Sequence, residues 1–131
     1  MEAVVERKTI STEKAPKAIG PYSVAIRTES LVFTSGQLGL DPLTQALVPG
    51  GVEAETRQAL TNLKHVLSEA GSGLDRAVKT IVFLKDMADF PLMNAVYAEF
   101  FPENPPARST VAVAGLPKGG AVEIEIIALA K

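Results

Sequence analysis

The run Lys79-Thr80-Ile81-Val82-Phe83-Leu84 constrains the fold more than any other stretch of this chain. It is short, rich in β-branched residues and apolar on both alternations, which predicts a central strand buried on both sides rather than a helix. Such a strand needs cover on each face of its sheet. Two segments can supply helices. In the first, Ala59, Leu60, Leu63, Val66, Leu67 and Ala70 recur at three- and four-residue spacing, and Gly71 supplies the stop. In the second, Asp89 is the candidate N-cap, Pro91 lies in the first turn, Met93, Val96, Tyr97 and Phe100 share a face, and Pro102 terminates. Two helices cover one sheet face only. A partner subunit is the expected cover for the other, because a monomer would leave a large apolar patch in water.

The remaining strands are placed by their flanking turns. Tyr22–Arg27 and Leu31–Phe33 read as a hairpin around the polar turn Thr28-Glu29-Ser30. Gln37 to Gly51, with Gly39, Asp41, Pro42, Pro49 and Gly50, reads as a long loop of the kind that carries function. Arg108–Val113 and Val122–Ala130 read as closing strands, joined through Gly115–Gly120. Strands, helix, strand, helix, strands make an α+β fold, one mixed sheet packed by two helices, in a single domain over residues 1–131.

Composition narrows the chemistry. Thirteen Lys and Arg against fifteen Asp and Glu leave a net charge of −2 over 131 residues, which disfavours general binding to a nucleic-acid backbone. No cysteine is present, so disulfides, thiolate metal sites and thiol nucleophiles are all removed. The segment MEAVVERKTISTEK contains Glu2, Glu6 and Glu13 and no apolar core, unlike a signal or transit peptide, and no run approaches a bilayer span. A cytoplasmic protein is expected, with mitochondria or another organelle left open. The one histidine, His65, lies beside the buried stripe of the first helix; with no second His or Cys as partner, a surface role is favoured over catalysis. Gly36-Gln37-Leu38-Gly39 matches neither nucleotide-binding glycine pattern, and no metal or other cofactor is expected.

What remains is a set of polar residues on apolar strands. Arg108, after Pro105-Pro106-Ala107, needs an anion, which is either a ligand or a structural ion-pair partner at Glu123 or Glu125. Those two glutamates alternate with Val122, Ile124 and Ile126, so they share one strand face, roughly 7 Å apart at Cα. Tyr22 after Gly20-Pro21 is a packed aromatic or a hydroxyl at a rim. Ser35 and Gly36 end the hairpin, where backbone amides are expected to be available.

Taken in order, Gly20-Pro21-Tyr22-Ser23, Thr34-Ser35-Gly36-Gln37, Gln58-Ala59-Leu60-x-Asn62-Leu63, Lys79-Thr80, Asp86-Met87-x-Asp89-Phe90, Met93-Asn94-x-x-Tyr97, Pro106-Ala107-Arg108-Ser109-Thr110-Val111 and Leu116-Pro117-x-x-x-x-Val122-Glu123-Ile124-Glu125 resemble the RidA (YjgF) family of reactive-intermediate deaminases, from about Lys8 to Ala130. The resemblance implies a chorismate-mutase-like α+β fold and a homotrimer whose sheets form an inner barrel, with a cleft at each subunit interface. It also implies hydrolysis of short-lived imines and enamines from pyridoxal-phosphate dehydratases to 2-oxo acids and ammonia. Arg108 is then similar to the family's carboxylate clamp and Glu123 to its acid-base or water-orienting group. Tyr22 contacts substrate or water, Ser35, Gly36 and the Thr110 backbone form a polar wall, and Asn94 reaches in from a neighbouring subunit. Several members carry cysteine where this chain has Thr110. The alternatives within the same family are a non-catalytic binder of small carboxylates and a ribonuclease-like or translation-inhibiting member.

Overall fold

A computed structural model describes residues 6–131; residues 1–5, including the Glu2 of the amino-terminal reading, lie outside the described residues. The strands are β1 (Lys8–Ile10), β2 (Ala25–Arg27), β3 (Leu31–Thr34), β4 (Gln37–Leu38), β5 (Ala77–Leu84), β6 (Ala107–Ala112) and β7 (Val122–Leu129); the helices are α1 (Gly51–Glu69) and α2 (Phe90–Phe100). One sheet runs β1-β2-β3-β7-β5-β6, with β4 also paired to β7. β5 and β6 are parallel and the other pairs antiparallel, so the sheet is mixed as expected.

Alternation along β7 sets the two faces. Val122, Ile124, Ile126 and Ala128 are fully enclosed beneath the helices, whereas Glu123, Glu125 and Ile127 point the other way. α1 contributes Leu60, Leu63, Val66 and Leu67 and α2 contributes Met93, Val96 and Tyr97 to the same layer, which β5 completes with Val82 and Leu84. Each of the larger aliphatic side chains gains about 1.5–3 kcal/mol from leaving water. The reverse face holds Phe33, Ile81, Phe83 and Val111, none of them fully covered within one chain. The strand expected to be central, β5, lies next to the edge strand β6, and β7 takes the middle. Only the Thr80, Val82 and Leu84 face of β5 is buried; Ile81 and Phe83 stay half-buried because no element of the chain lies over them.

Several boundaries differ from the sequence reading. α1 starts at Gly51, ahead of its apolar stripe, because its first two turns carry Glu53, Glu55, Thr56, Arg57 and Gln58, which obscure the period. The expected loop from Gln37 is broken by β4 and by a bridge between Leu40 and Leu47. β2 is shorter than Tyr22–Arg27, and β1, only three residues long with Lys8 and Thr9 exposed, had no readable alternation. Asp89 is N-terminal to α2 but its carboxylate caps nothing; Asp86 accepts instead from the Ala88 amide at 2.9 Å, capping the short turn that leads into the helix. Gly71 ends α1 at φ 76, where a glycine is favoured, as expected.

Candidate active site

The site begins as an irregularity in the sheet. β3 leaves β7 at Phe33 opposite Ile127, and β4 rejoins it at Gln37 opposite Ile124, so three residues on one strand face two on the other. This is a bulge, and it re-aims side chains. Thr34 Oγ1 fills the gap in the ladder by accepting from the Ile126 amide at 2.9 Å. Ser35 turns to the opposite neighbour: its amide donates to Val24 O at 2.9 Å and its hydroxyl to Ser23 O at 2.6 Å. The expectation of an available amide therefore fails at Ser35. Gly36 packs directly on the acid, since a Cβ placed there would lie 2.7 Å from Glu123 Cδ. A side chain at 36 would occupy the position of that carboxylate.

A cleft of about 360 Å³ opens here, and Tyr22, Ser35, Gly36, Glu123 and Glu125 are among its walls. The Tyr22 hydroxyl accepts from the Ile19 amide at 3.2 Å. Burial pushes the Glu123 carboxyl above its ordinary range, and the nearby charge of Glu125 adds to the rise. Raised carboxylates in clefts are suited to exchanging protons near neutral pH.

Two supports escaped the sequence reading. Glu55 Oε1 accepts from the Ala121 amide at 2.8 Å and so fixes the start of β7 just before Glu123. Asn62, wholly enclosed on the α1 stripe, donates to Leu40 O at 2.9 Å and Leu38 O at 3.4 Å, pinning the strand that lines the cleft. The available signal was a polar residue at an apolar position of the helical period. An enclosed amide there needs backbone partners.

The other three expected site residues are elsewhere. Arg108 lies opposite Thr80 and Thr110 opposite Val82 in the β5–β6 register, which puts both on the helix-bearing face, away from Glu123. The Arg108 guanidinium stands 4.7 Å from the Tyr97 ring centroid and 5.5 Å from that of Phe90. Thr110 Oγ1 is buried without a hydrogen-bond partner, and Asn94 is half-buried on α2. The alternative of an ion pair from Arg108 to Glu123 or Glu125 is overturned for the single chain, because the sheet separates them. Among the described residues the one ion pair joins Arg57 to Glu99 at 2.8 Å, linking α1 to α2. His65 is half-buried beside the α1 stripe. No group of three or more His, Cys, Asp or Glu among the described residues is placed to hold a metal ion.

A family model described as endoribonuclease L-PSP matches residues 12–130. The chain belongs to this family, the YjgF/RidA proteins. A RidA-family relative named 2-iminobutanoate/2-iminopropanoate deaminase, from Bos taurus, is 52% identical over 123 residues, covering 94% of this chain and 90% of that protein. Among solved structures, Escherichia coli TdcF with bound serine is 41% identical with a TM-score of 0.90, covering 95% of this chain and 99% of that one. The E. coli YjgF gene product is 46% identical with a TM-score of 0.89 over the same shares. The α+β fold read from the sequence is thus that of the RidA family. No described helix is long and apolar enough to cross a membrane.

Proposed function

We propose that this chain is a 2-iminobutanoate/2-iminopropanoate deaminase, a hydrolase acting on C–N bonds, and that it works as a homotrimer in the cytoplasm. The reading is carried by the division of the site: a half with Glu123, Tyr22, Ser35 and Gly36 on one sheet face, and a half with Arg108, Thr110 and Asn94 on the other. In one chain the halves cannot share a small substrate. Copies whose sheets close edge to edge into a barrel, uncovered faces inward, would bring the β6 edge that carries Arg108 and Thr110 alongside the cleft half of the next chain. Phe33 and Val111, 40% and 44% exposed, favour that burial. The deaminase name of the bovine relative and the serine bound by TdcF both fit a site for small amino or imino acids.

Arg108 has the chemistry of a carboxylate clamp. Its guanidinium rests on two aromatic rings and has no acid partner among the described residues, so its planar fork is available to the carboxylate of a 2-imino acid. The protonated imine carbon is already electrophilic. Glu123 orients a water and takes its proton as the oxygen bonds to C2, leaving a carbinolamine. The same carboxyl returns the proton to nitrogen. The C–N bond then breaks with its electron pair going to nitrogen as the hydroxyl oxygen becomes the carbonyl, and the hydroxyl proton passes through the Glu123 carboxylate to the departing ammonia, giving a 2-oxo acid and ammonium. Tyr22, Ser35, Gly36 and the Thr110 backbone orient substrate and water, and Asn94 closes the neighbour's side.

A coupled assay tests this reading: threonine dehydratase supplies the enamine, and release of 2-oxobutanoate and ammonia is followed with and without the protein. Acceleration that disappears in Arg108→Ala supports it. Binding of 2-oxobutanoate without acceleration would establish the non-catalytic alternative, and RNA cleavage without deamination the ribonuclease one. A light-scattering mass of one chain at all concentrations would overturn the trimer.

A further inference from the structure

The cleft wall that carries Tyr22 has no regular structure of its own. Between Ile10 at the end of β1 and Ala25 at the start of β2 there is neither strand nor helix. At its C-terminal end the segment is tied to the end of β3, where Ser35 donates to Ser23 O and Val24 O; ahead of that its hydrogen bonds are local, Lys14 N to Thr12 Oγ1, Ile19 N to the Tyr22 hydroxyl, and Tyr22 N to Gly20 O. Among the described residues, one hydrogen bond ties residues 12–22 to a distant part of the chain. It runs from the Lys17 amide to Gln45 Oε1, at 3.2 Å.

Gln45 also holds a second part of the rim. Pro117 lines the cleft, and the adjacent Lys118 donates through Nζ to the Gln45 carbonyl at 2.8 Å. Both partners of that bond are left-handed, Gln45 at φ 61 and Lys118 at φ 57, and they are two of the three non-glycine residues with positive φ among the described residues. An L side chain is strained there and glycine is not. The loop itself does not require glutamine, because it closes through Asp41 N to Ala46 O at 2.9 Å and Gln45 N to Asp41 O at 2.8 Å. What glutamine adds over glycine is the side-chain oxygen that Lys17 uses.

We propose that Gln45 is a positioning residue for the Glu123 cleft, clasping the Tyr22 wall to the Lys118 turn and thereby setting substrate affinity rather than the chemical step. The kinetic part of this proposal rests on the deaminase reading above. The binding part does not.

Gln45→Gly separates the clasp from the fold, since it keeps the backbone conformation and the carbonyl for Lys118 while deleting Oε1. Its Tm is expected to match or exceed wild type. KM for the dehydratase-derived imine is expected to rise roughly three- to tenfold, the size of one net hydrogen bond, with kcat within about twofold. Kd for 2-oxobutanoate, read from tyrosine fluorescence in a chain with two tyrosines and no tryptophan, is expected to rise by the same factor. Gln45→Glu, which keeps an acceptor, is expected to restore both. Wild-type KM and Kd in a folded Gln45→Gly protein would overturn the proposal, as would a fall in kcat at unchanged KM. If wild type binds 2-oxobutanoate but does not deaminate, the functional reading fails while the Kd comparison still decides the clasp.

Discussion

The guanidinium carbon of Arg108 lies 4.7 Å from the centroid of the Tyr97 ring, and the Tyr97 hydroxyl is bonded in turn to Thr80 Oγ1 at 2.7 Å. Burial pushes the Tyr97 phenol above its ordinary value, outweighing the opposing pull of Thr80 and Arg108, so the ring stays neutral. The arginine is therefore aligned by an aromatic surface without being neutralised. A carboxylate partner would have done both.

Tyr97→Phe keeps the ring and leaves Thr80 Oγ1, in a wholly enclosed residue, without its partner. A loss of about 1–3 kcal/mol in stability is expected by thermal melting, with KM changed less than about twofold. Tyr97→Leu removes the aromatic surface, and there KM is expected to rise. Equal KM effects in the two variants would show that the hydroxyl, not the ring, sets the arginine.

Arg108→Ala breaks no ion pair within the chain, so the folded state is expected to lose no more than about 1 kcal/mol of cation–π contact. The rate of imine hydrolysis is expected to fall roughly tenfold to over a hundredfold, from a lost charged contact of about 1.5–3 kcal/mol. Arg108→Lys should recover little of it, because an ammonium cannot form two parallel bonds to a carboxylate. The coupled assay and a urea melt check both halves.

Strong periodicity and strong punctuation were readable in the chain, and weak local signals were not. The stripe from Ala59 to Ala70 and the stop at Gly71 identified α1, and the alternation around Glu123 and Glu125 placed both acids on one face. The motif resemblance supplied Tyr22, Ser35, Gly36 and Glu123, which line one cleft. That Arg108 and Glu123 lie on opposite faces was not legible, because strand phase depends on which of two equally apolar alternations packs beneath the helices. β5 is apolar on both, and only the β5–β6 register places Arg108 with Thr80. Glu55 and Asn62 were hidden for a related reason: their partners are the backbone atoms of Ala121, Leu38 and Leu40, and side-chain spacing carries no trace of those.

Gly36→Ala tests how closely the bulge holds the acid. The added methyl would fall 2.7 Å from Glu123 Cδ, and the carboxylate rather than the backbone must move. Stability is expected to change by less than about 1 kcal/mol, since position 36 needs no left-handed backbone, while the role proposed for Glu123 in orienting water predicts a fall in kcat of about tenfold or more when that carboxylate is displaced. A crystal structure of the variant showing Glu123 unmoved, with normal turnover, would remove this role for Gly36.

The pH dependence of Glu123 runs in opposite directions for activity and stability. Its carboxyl is raised above 4.5, first by burial and then by Glu125. As a proton acceptor it must be ionised, so kcat/KM should fall as pH drops through the raised value, in a window above that of a free carboxylate. For stability, a raised pKa means the fold favours the protonated acid. The stabilisation is complete below the unfolded value and is lost as pH climbs through the folded one. Ionised Glu123 therefore weakens the protein at neutral pH, and Glu123→Gln is expected to melt at the same or a higher temperature than wild type there. The advantage should vanish on acidification, while deaminase activity is lost throughout. Melting curves and coupled assays from about pH 4 to 8 give both profiles. A Glu123→Gln protein that is less stable at neutral pH would mean that the carboxylate is held by an attractive charge, and unchanged turnover would remove it as the proton acceptor.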